Sequence, residues 1–311
     1  MERRHLLAEE AISKHNGRIG HSFRSAFRHI RLAWKLYLLD KEMSLFRAIT
    51  GEEEAASGLM LALIRQRYPG ANRLNPRNHV HKAAVSPYLD AVSDLMASVP
   101  VPAPRLSLSM GSPPSISISI DLQALGVSDE PNSVTPDNPF NFILRKNGDE
   151  NVYFFEKELH AIAKSRGAED IKSAIRERAN VRNRLLYASD SGIPSVEFKI
   201  EALLRYRDRI YRLSLLAIGI LQTKKLQLFA TQSLESFLAI LDQNVGSGID
   251  YSGVSPDGRF MSLIQRSDGS YLVRTGYKGQ VTIHARFDKV WQFNVQSRIM
   301  RSVAVDIELS S

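Results

Sequence analysis

Apolar residues recur at Phe23, Phe27, Ile30, Trp34 and Tyr37, a spacing of three and four that predicts a helix with one buried stripe. Arg24, Arg28, Arg31 and Lys35 repeat that spacing one residue later, so a basic stripe flanks the apolar one, read either as a solvated face or as an RNA contact. Further helices are predicted over 51–68, stopped by Pro69 and Gly70, and over 82–99. The texture then changes. Residues 105–110 and 115–120 alternate polar and apolar around a Gly/Ser/Pro turn, the pattern of a β-hairpin. A polar stretch at 128–139 leads back to helical periodicity over 152–166, 168–186 and 195–222, with a fourth helix to about 243. Ser195, after Pro194 and before Glu197, has the composition of a helix N-terminus. Past Gly246, short strands are predicted at 259–265, 270–275 and 280–286, with a last alternating strand at 302–309.

These elements predict an α+β chain, mainly α. Residues 1–99 would form the first half of a helical bundle and 140–245 the second, separated by a Pro/Ser-rich β-hairpin insert at 100–139. Residues 246–311 would form a small C-terminal antiparallel β region. No internal repeat is visible.

Composition narrows the chemistry. The chain of 311 residues is 43% apolar, enough for a core, and contains no cysteine, which removes disulfides, thiol catalysis and Cys-based zinc sites. The longest apolar run, 213–221, falls well short of the roughly 20 residues that span a bilayer. With no apolar leader behind Met1, the expectation is a soluble cytoplasmic protein. A net charge of +8 favours polyanionic partners.

Two charges stand where apolar residues belong. Ile171, Ala174, Ile175, Val181 and Leu185 mark one helical face, and Arg178 and Arg182 project from its middle, whereas Arg176 and Arg184 point away. An unpaired buried guanidinium costs several kcal/mol, so these two need carboxylates or must line a groove. Leu45, Phe46, Ile49, Ala56, Met60 and Leu63 enclose Glu53 in the same way, with Glu52 at the stripe's edge. Glu53 is therefore expected to meet Arg178 or Arg182 across the bundle. A local alternative is a capping box, Thr50 to Glu53, serving a helix start.

At these residues the chain resembles the HEPN superfamily of helical RNases and RNA-associated proteins, in particular its abortive-infection AbiV-type branch. The matching stretches are Ile49-Thr-Gly-Glu-Glu-Glu-Ala-Ala-Ser57, Arg77-Asn-His-Val-His-Lys82, and Arg178-Ala-Asn-Val-Arg-Asn-Arg-Leu-Leu-Tyr187 with the following Ala-Ser-Asp-Ser-Gly-Ile-Pro194. The resemblance covers roughly 20–99 and 150–222. It implies a homodimeric helical bundle that cleaves RNA without metal or other cofactor, through an Arg, a polar residue and a His four to six positions on. Arg182 and Asn183 supply the first two, but Tyr187 stands where His is expected, and a phenol is a poor base at neutral pH.

The expected catalytic group is Arg178, Arg182, Asn183, Tyr187 and Glu53, bordered by RNA-binding Arg77, His79, His81, Lys82, Arg24 and Arg28. Arg-to-His spacings also occur at Arg24 to His29 and Arg73 to His79, but 41 basic residues and 8 histidines generate such spacings by chance. His79 and His81, two apart, could offer two metal ligands, with no third nearby, so no metal site is expected. In the C-terminal region Phe260, Tyr271, Tyr277, Phe287, Trp291 and Phe293 interleave with basic residues, read as sheet core or as a base-stacking surface. The expected function is an RNA-targeting effector, a metal-independent endoribonuclease or translation inhibitor of phage defence, with a protein inhibitor or activator as a further partner. The alternative is a catalytically inactive scaffold that binds RNA or a protein partner.

Overall fold

The computed structural model describes residues 1–98, 105–121, 133–145, 164, 171–188 and 192–241, and the backbone of five strands between 260 and 304. The described chain is mainly helical with smaller sheets, an α+β architecture. Apart from residue 164, the helix expected over 152–166 lies outside the described residues, as do the side chains of the C-terminal strands.

The helices are α1 (Arg3–Ser13), α2 (Arg18–Leu36), α3 (Lys41–Arg65), α4 (His79–Ser98), α5 (Ile171–Arg184), α6 (Ile200–Leu221) and α7 (Leu228–Leu241). The long helix α3 is the hub, packing against α2, α4, α5 and α6, so the two sequence halves meet in one bundle. Its core holds Phe23, Phe27 and Ile30 of α2, Met60 of α3, and Leu203, Ile210 and Leu213 of α6, all at most 2% exposed. The predicted apolar stripe of α2 is the face that supplies the first three.

Helix α3 begins ten residues before the expected start at 51. Asp40 is its N-cap, its carboxylate accepting from Met43 N at 2.8 Å, so the box at Thr50 to Glu53 caps nothing. Thr50 lies inside the helix, and its hydroxyl donates to Phe46 O at 2.8 Å. Gly51 and Gly58, which look like helix breakers, are tolerated because α2 passes too close for a side chain. A Cβ at Gly58 would lie 2.5 Å from Phe23 Cε2, and one at Gly51 3.0 Å from Ala26 O.

Two other starts shift. Helix α4 begins at His79 rather than 82, because the Asn78 carboxamide accepts from Val80 N at 2.8 Å and closes the first turn. Helix α6 begins at Ile200 rather than 195. The preceding segment is held extended by Val196 N donating to Glu42 Oε1 at 2.8 Å, by the Lys41–Glu197 pair, and by Tyr37 OH donating to Phe198 O at 3.2 Å. Glu197 thus serves α3's first residue and not a cap of its own. Helix α1, missed in the sequence, buries His5, Ala8, Ala11 and Ile12 against α2 and α6.

The insert forms the predicted hairpin, β1 (Arg105–Ser109) with β2 (Ser115–Asp121), extended by β3 (Ser133–Val134). Gln222, just past α6, clamps it: Ile116 N donates to Gln222 Oε1 at 2.8 Å, and Gln222 Nε2 donates to Ile116 O at 3.1 Å. The side-chain amide thereby stands in for a neighbouring strand. Strands β5 (Phe260–Gln265), β6 (Tyr271–Tyr277) and β7 (Gln280–Phe287) form an antiparallel sheet as expected. The β region is not wholly antiparallel, however. Strand β8 (Lys289–Asn294) pairs antiparallel with β9 (Met300–Ala304) and parallel with β4 (Phe142–Arg145), both β4 and β8 being unforeseen. Strand β9 starts two residues before the expected 302–309 strand, and 305–309 lie outside the described residues.

Candidate functional site

Neighbouring residues on a helix point about 100° apart, so Glu52 and Glu53 of α3 face different partners. Both are buried, 5% and 4% exposed, and each lies under cations from other helices. Glu52 faces α5 and α6: Arg178 NH2 donates to its two oxygens at 2.6 and 2.8 Å, and Arg209 NH1 lies 3.7 Å away. Glu53 faces α4 and the end of α5. Its Oε2 is 2.9 Å from His79 Nδ1, 3.1 Å from Lys82 Nζ and 3.3 Å from Arg182 NH1. Arg209 continues the network to Asp90 at 2.7 Å, which also accepts from Arg212 at 3.2 Å. Three carboxylates therefore face five permanent cations, leaving the seam positive before His79 is counted.

The electrostatics follow from this packing. Burial by itself would raise the Glu52 carboxyl, but Arg178, Arg209 and a hydrogen bond from Ser86 outweigh it and the net shift is downward. Burial would likewise lower Arg178, yet Glu52 more than compensates and its pKa is raised. Tyr206, beside them, is pushed up by burial. This half of the seam is a locked ion pair.

The Glu53 half is open. A cavity of about 60 Å³ lined by Glu52, Glu53, Lys82, Arg178, Val181 and Tyr206, among others, has room for water but not for a nucleotide. His79 and Arg182 do not line that cavity; they contact Glu53 at the outer edge of the seam, its mouth, where the His79 side chain is 50% and that of Arg182 26% exposed. Arg182 packs its guanidinium over the Phe46 ring, 5.2 Å to the centroid, and its buried Nε has no hydrogen-bond partner. Arg182 NH1 lies 3.2 Å from His79 Nδ1 and 3.4 Å from Nε2. A nitrogen that donates to Glu53 cannot also accept, so in the neutral ring with Nδ1–H toward Glu53 the lone pair sits on Nε2.

Glu53, Arg178, Arg182, His79 and Lys82 thus come together, but Arg178 takes Glu52 rather than Glu53. Glu52, placed at the edge of the stripe by the helical pattern, is as buried as Glu53. Asn183 and Tyr187 are exposed, Tyr187 at 68%, and neither side chain is drawn into the seam. Arg77 is exposed too. His81 does not pair with His79 as a strand-like spacing would allow. On a helix the two diverge by about 200°, and His81 Nδ1 instead accepts from Asn75 N at 3.2 Å. Among the described residues, no group of three His, Asp or Glu side chains could hold a metal ion.

The basic stripe of α2 divides. Arg24 donates to Ser13 O at 2.8 Å and Arg31 pairs with Glu9, both securing α1, while Arg28 stays exposed. Next to Arg28, His29 is held below the usual imidazole range by burial and by Arg47, Arg28 and Arg182. Arg47 NH1 is 3.5 Å from His29 Nδ1, and Arg47 Nε is buried without a partner. Arg47 is an addition that the sequence did not single out, and His29, set aside there as a chance Arg24-to-His29 spacing, joins it, since only the packing of α2 on α3 brings them beside Arg182.

Fold and seam define a mainly helical α+β protein with a buried ion-pair network that opens at an Arg–His–Glu mouth. No protein-family model matches the chain, and no curated protein or solved structure matches it. No helix among the described residues is long and apolar enough to cross a membrane.

Proposed function

We propose that the protein is a HEPN-like RNA-targeting effector, acting in the cytoplasm as a homodimer, that binds an RNA phosphodiester at the mouth formed by Arg182, His79 and Glu53. The observation that carries this reading is the contact of Arg182 NH1 with the half-exposed His79 ring, whose Nδ1 is oriented by buried Glu53 at 2.9 Å. His79 occupies in space the role left vacant by Tyr187 in the sequence. Its Nε2 takes the proton of a ribose 2′-hydroxyl, the oxygen attacks phosphorus, and the 5′-oxygen leaves, taking the proton back from the imidazolium. The products are a 2′,3′-cyclic phosphate and a 5′-hydroxyl. Arg182, Arg47 and Arg28 favour the charge that gathers on the phosphoryl oxygens, and Lys82, 3.1 Å from Glu53 Oε2, fixes the carboxylate that orients His79. The reading predicts cleavage of labelled RNA in EDTA, lost in His79→Ala and Arg182→Ala. Tight RNA binding without cleavage by the unaltered protein would exclude it.

A second reading, an inactive HEPN-like scaffold that binds RNA or a protein partner, draws on the full engagement of Arg178 with Glu52 and the outward position of Tyr187. On this reading the seam is structural, and the same assay shows binding that His79→Ala leaves unchanged.

A further inference from the structure

The C-terminal ends of α3 and α6 and the turn after α1 enclose a cleft of about 540 Å³, lined by His15, Arg65, Gln66, Arg67, Leu221 and Lys224. No carboxylate lines it. Arg65, Arg67 and Lys224 are exposed, and among the described residues none of the three has an ion-pair partner. Gln66 Nε2 donates to Leu221 O at 3.3 Å and ties the two helix ends together as the floor. His15 Nε2 is buried without a hydrogen-bond partner. Burial and then Arg65 hold that imidazole below its usual range, so it is neutral near pH 7.

Helix-end capping does not account for these cations. The C-terminal dipoles of two helices supply together about one negative charge, against three cations. Arg67 carries the stronger argument. Its φ is +56°, the left-handed region. Arg67 N bonds Ile64 O at 3.0 Å and Tyr68 N bonds Leu63 O at 3.1 Å, the turn in which glycine is the usual residue. An arginine there accepts backbone strain and supplies one of the three cations that line the cleft, and an outlier of this kind points toward a ligand.

We infer that this cleft binds a phosphoryl group, carried by a free nucleotide or by the backbone of a nucleic acid. Three cations, with planar guanidinium forks among them, match a multiply charged tetrahedral oxyanion, and His15 Nε2–H supplies a neutral donor. The volume suits a nucleotide. The cleft is separate from the Glu53 mouth: Arg65 lies twelve residues along α3, about 18 Å away.

Calorimetric titration of the full chain with pyrophosphate, with ATP and with an RNA octamer tests the inference, the RNA arm run in an Arg182→Ala background to silence the seam. Saturable binding that weakens about tenfold or more in R65A/K224A and in R67G is expected. Because Arg67→Gly relieves the positive φ, that variant should melt no lower than its parent, so lost binding there is not lost folding. Binding of RNA alone, lost in the same variants, assigns the phosphoryl group to a nucleic-acid backbone, and binding of pyrophosphate or ATP assigns it to a free nucleotide. No saturable binding of any probe, or binding indifferent to both variants, overturns it.

Discussion

Arg178 NH2 donates to both carboxylate oxygens of Glu52, at 2.6 and 2.8 Å, and this pair joins helices 126 residues apart in sequence. Both ends are desolvated, with the Arg178 side chain 20% and that of Glu52 6% exposed. Removing one member leaves the other charge buried, so Glu52→Gln or Arg178→Met should each cost about 3–5 kcal/mol in urea unfolding. The double variant Glu52→Leu with Arg178→Met should recover most of that loss, because two apolar side chains leave no orphan. Additive losses would show that the pair is not the unit of stability.

The close approach of α2 and α3 at Gly58 gives a second expectation. A methyl there would meet the Phe23 ring at 2.5 to 2.8 Å, and Phe23 is fully buried and cannot swing out. Gly58→Ala should therefore lose about 1–3 kcal/mol by overpacking, although alanine is the better helix former. A Gly58→Ala variant that melts higher than its parent would mean that the helices separate at little cost.

What the sequence revealed was local. The stripe of Phe23, Phe27 and Ile30 and the alternation around Ser112-Pro113-Pro114 each follow from one element's own periodicity, and both helix and hairpin formed. The misplaced starts were local signals overruled from afar. Thr50 to Glu53 imitates a cap, but Asp40 had already begun the helix, and Gly51 is required by Ala26 across the interface rather than by a turn. Ser195 and Glu197 imitate another, but Lys41 and Glu42 capture that segment. In the seam, inward charges were legible because a charge on an apolar face has few solutions. Which carboxylate meets which arginine depends on the relative rotation of three helices, and a turn of about 100° exchanges Glu52 for Glu53. The grouping of His79 with Arg182 is of this second kind.

Acidification supplies another test. His5, His15, His29 and His81 all have lowered pKa values, burial being the first cause in each. With folded values below the unfolded value of about 6.5, the unfolded chain binds more protons, so stability rises with pH and is lost as pH falls below about 6.5. His81 shows why: its Nδ1 accepts from Asn75 N, and a proton there breaks the bond. The melting temperature should fall between about pH 7.5 and about pH 5.5, and by less in His81→Gln. A melting temperature that holds level or rises over that interval would contradict the neutral burial of these rings.

The division between Tyr187 and His79 gives the sharpest functional expectation. Tyr187 is 68% exposed, one turn beyond Asn183 and outside the seam, whereas His79 is oriented by Glu53 and touched by Arg182. If RNA is cleaved at this mouth, Tyr187→Phe should leave the rate unchanged, and His79→Ala should lower it by about 10²- to 10⁴-fold, the range of a general base. Glu53→Gln separates proton transfer from position, because the carboxamide can still accept from Nδ1–H yet no longer stabilises the imidazolium. It should reduce the rate, while RNA affinity, set by Arg182 and Arg47, stays close to that of the parent. A Tyr187→Phe variant that loses cleavage while His79→Ala keeps it would move the chemistry back to the end of α5 and away from the seam.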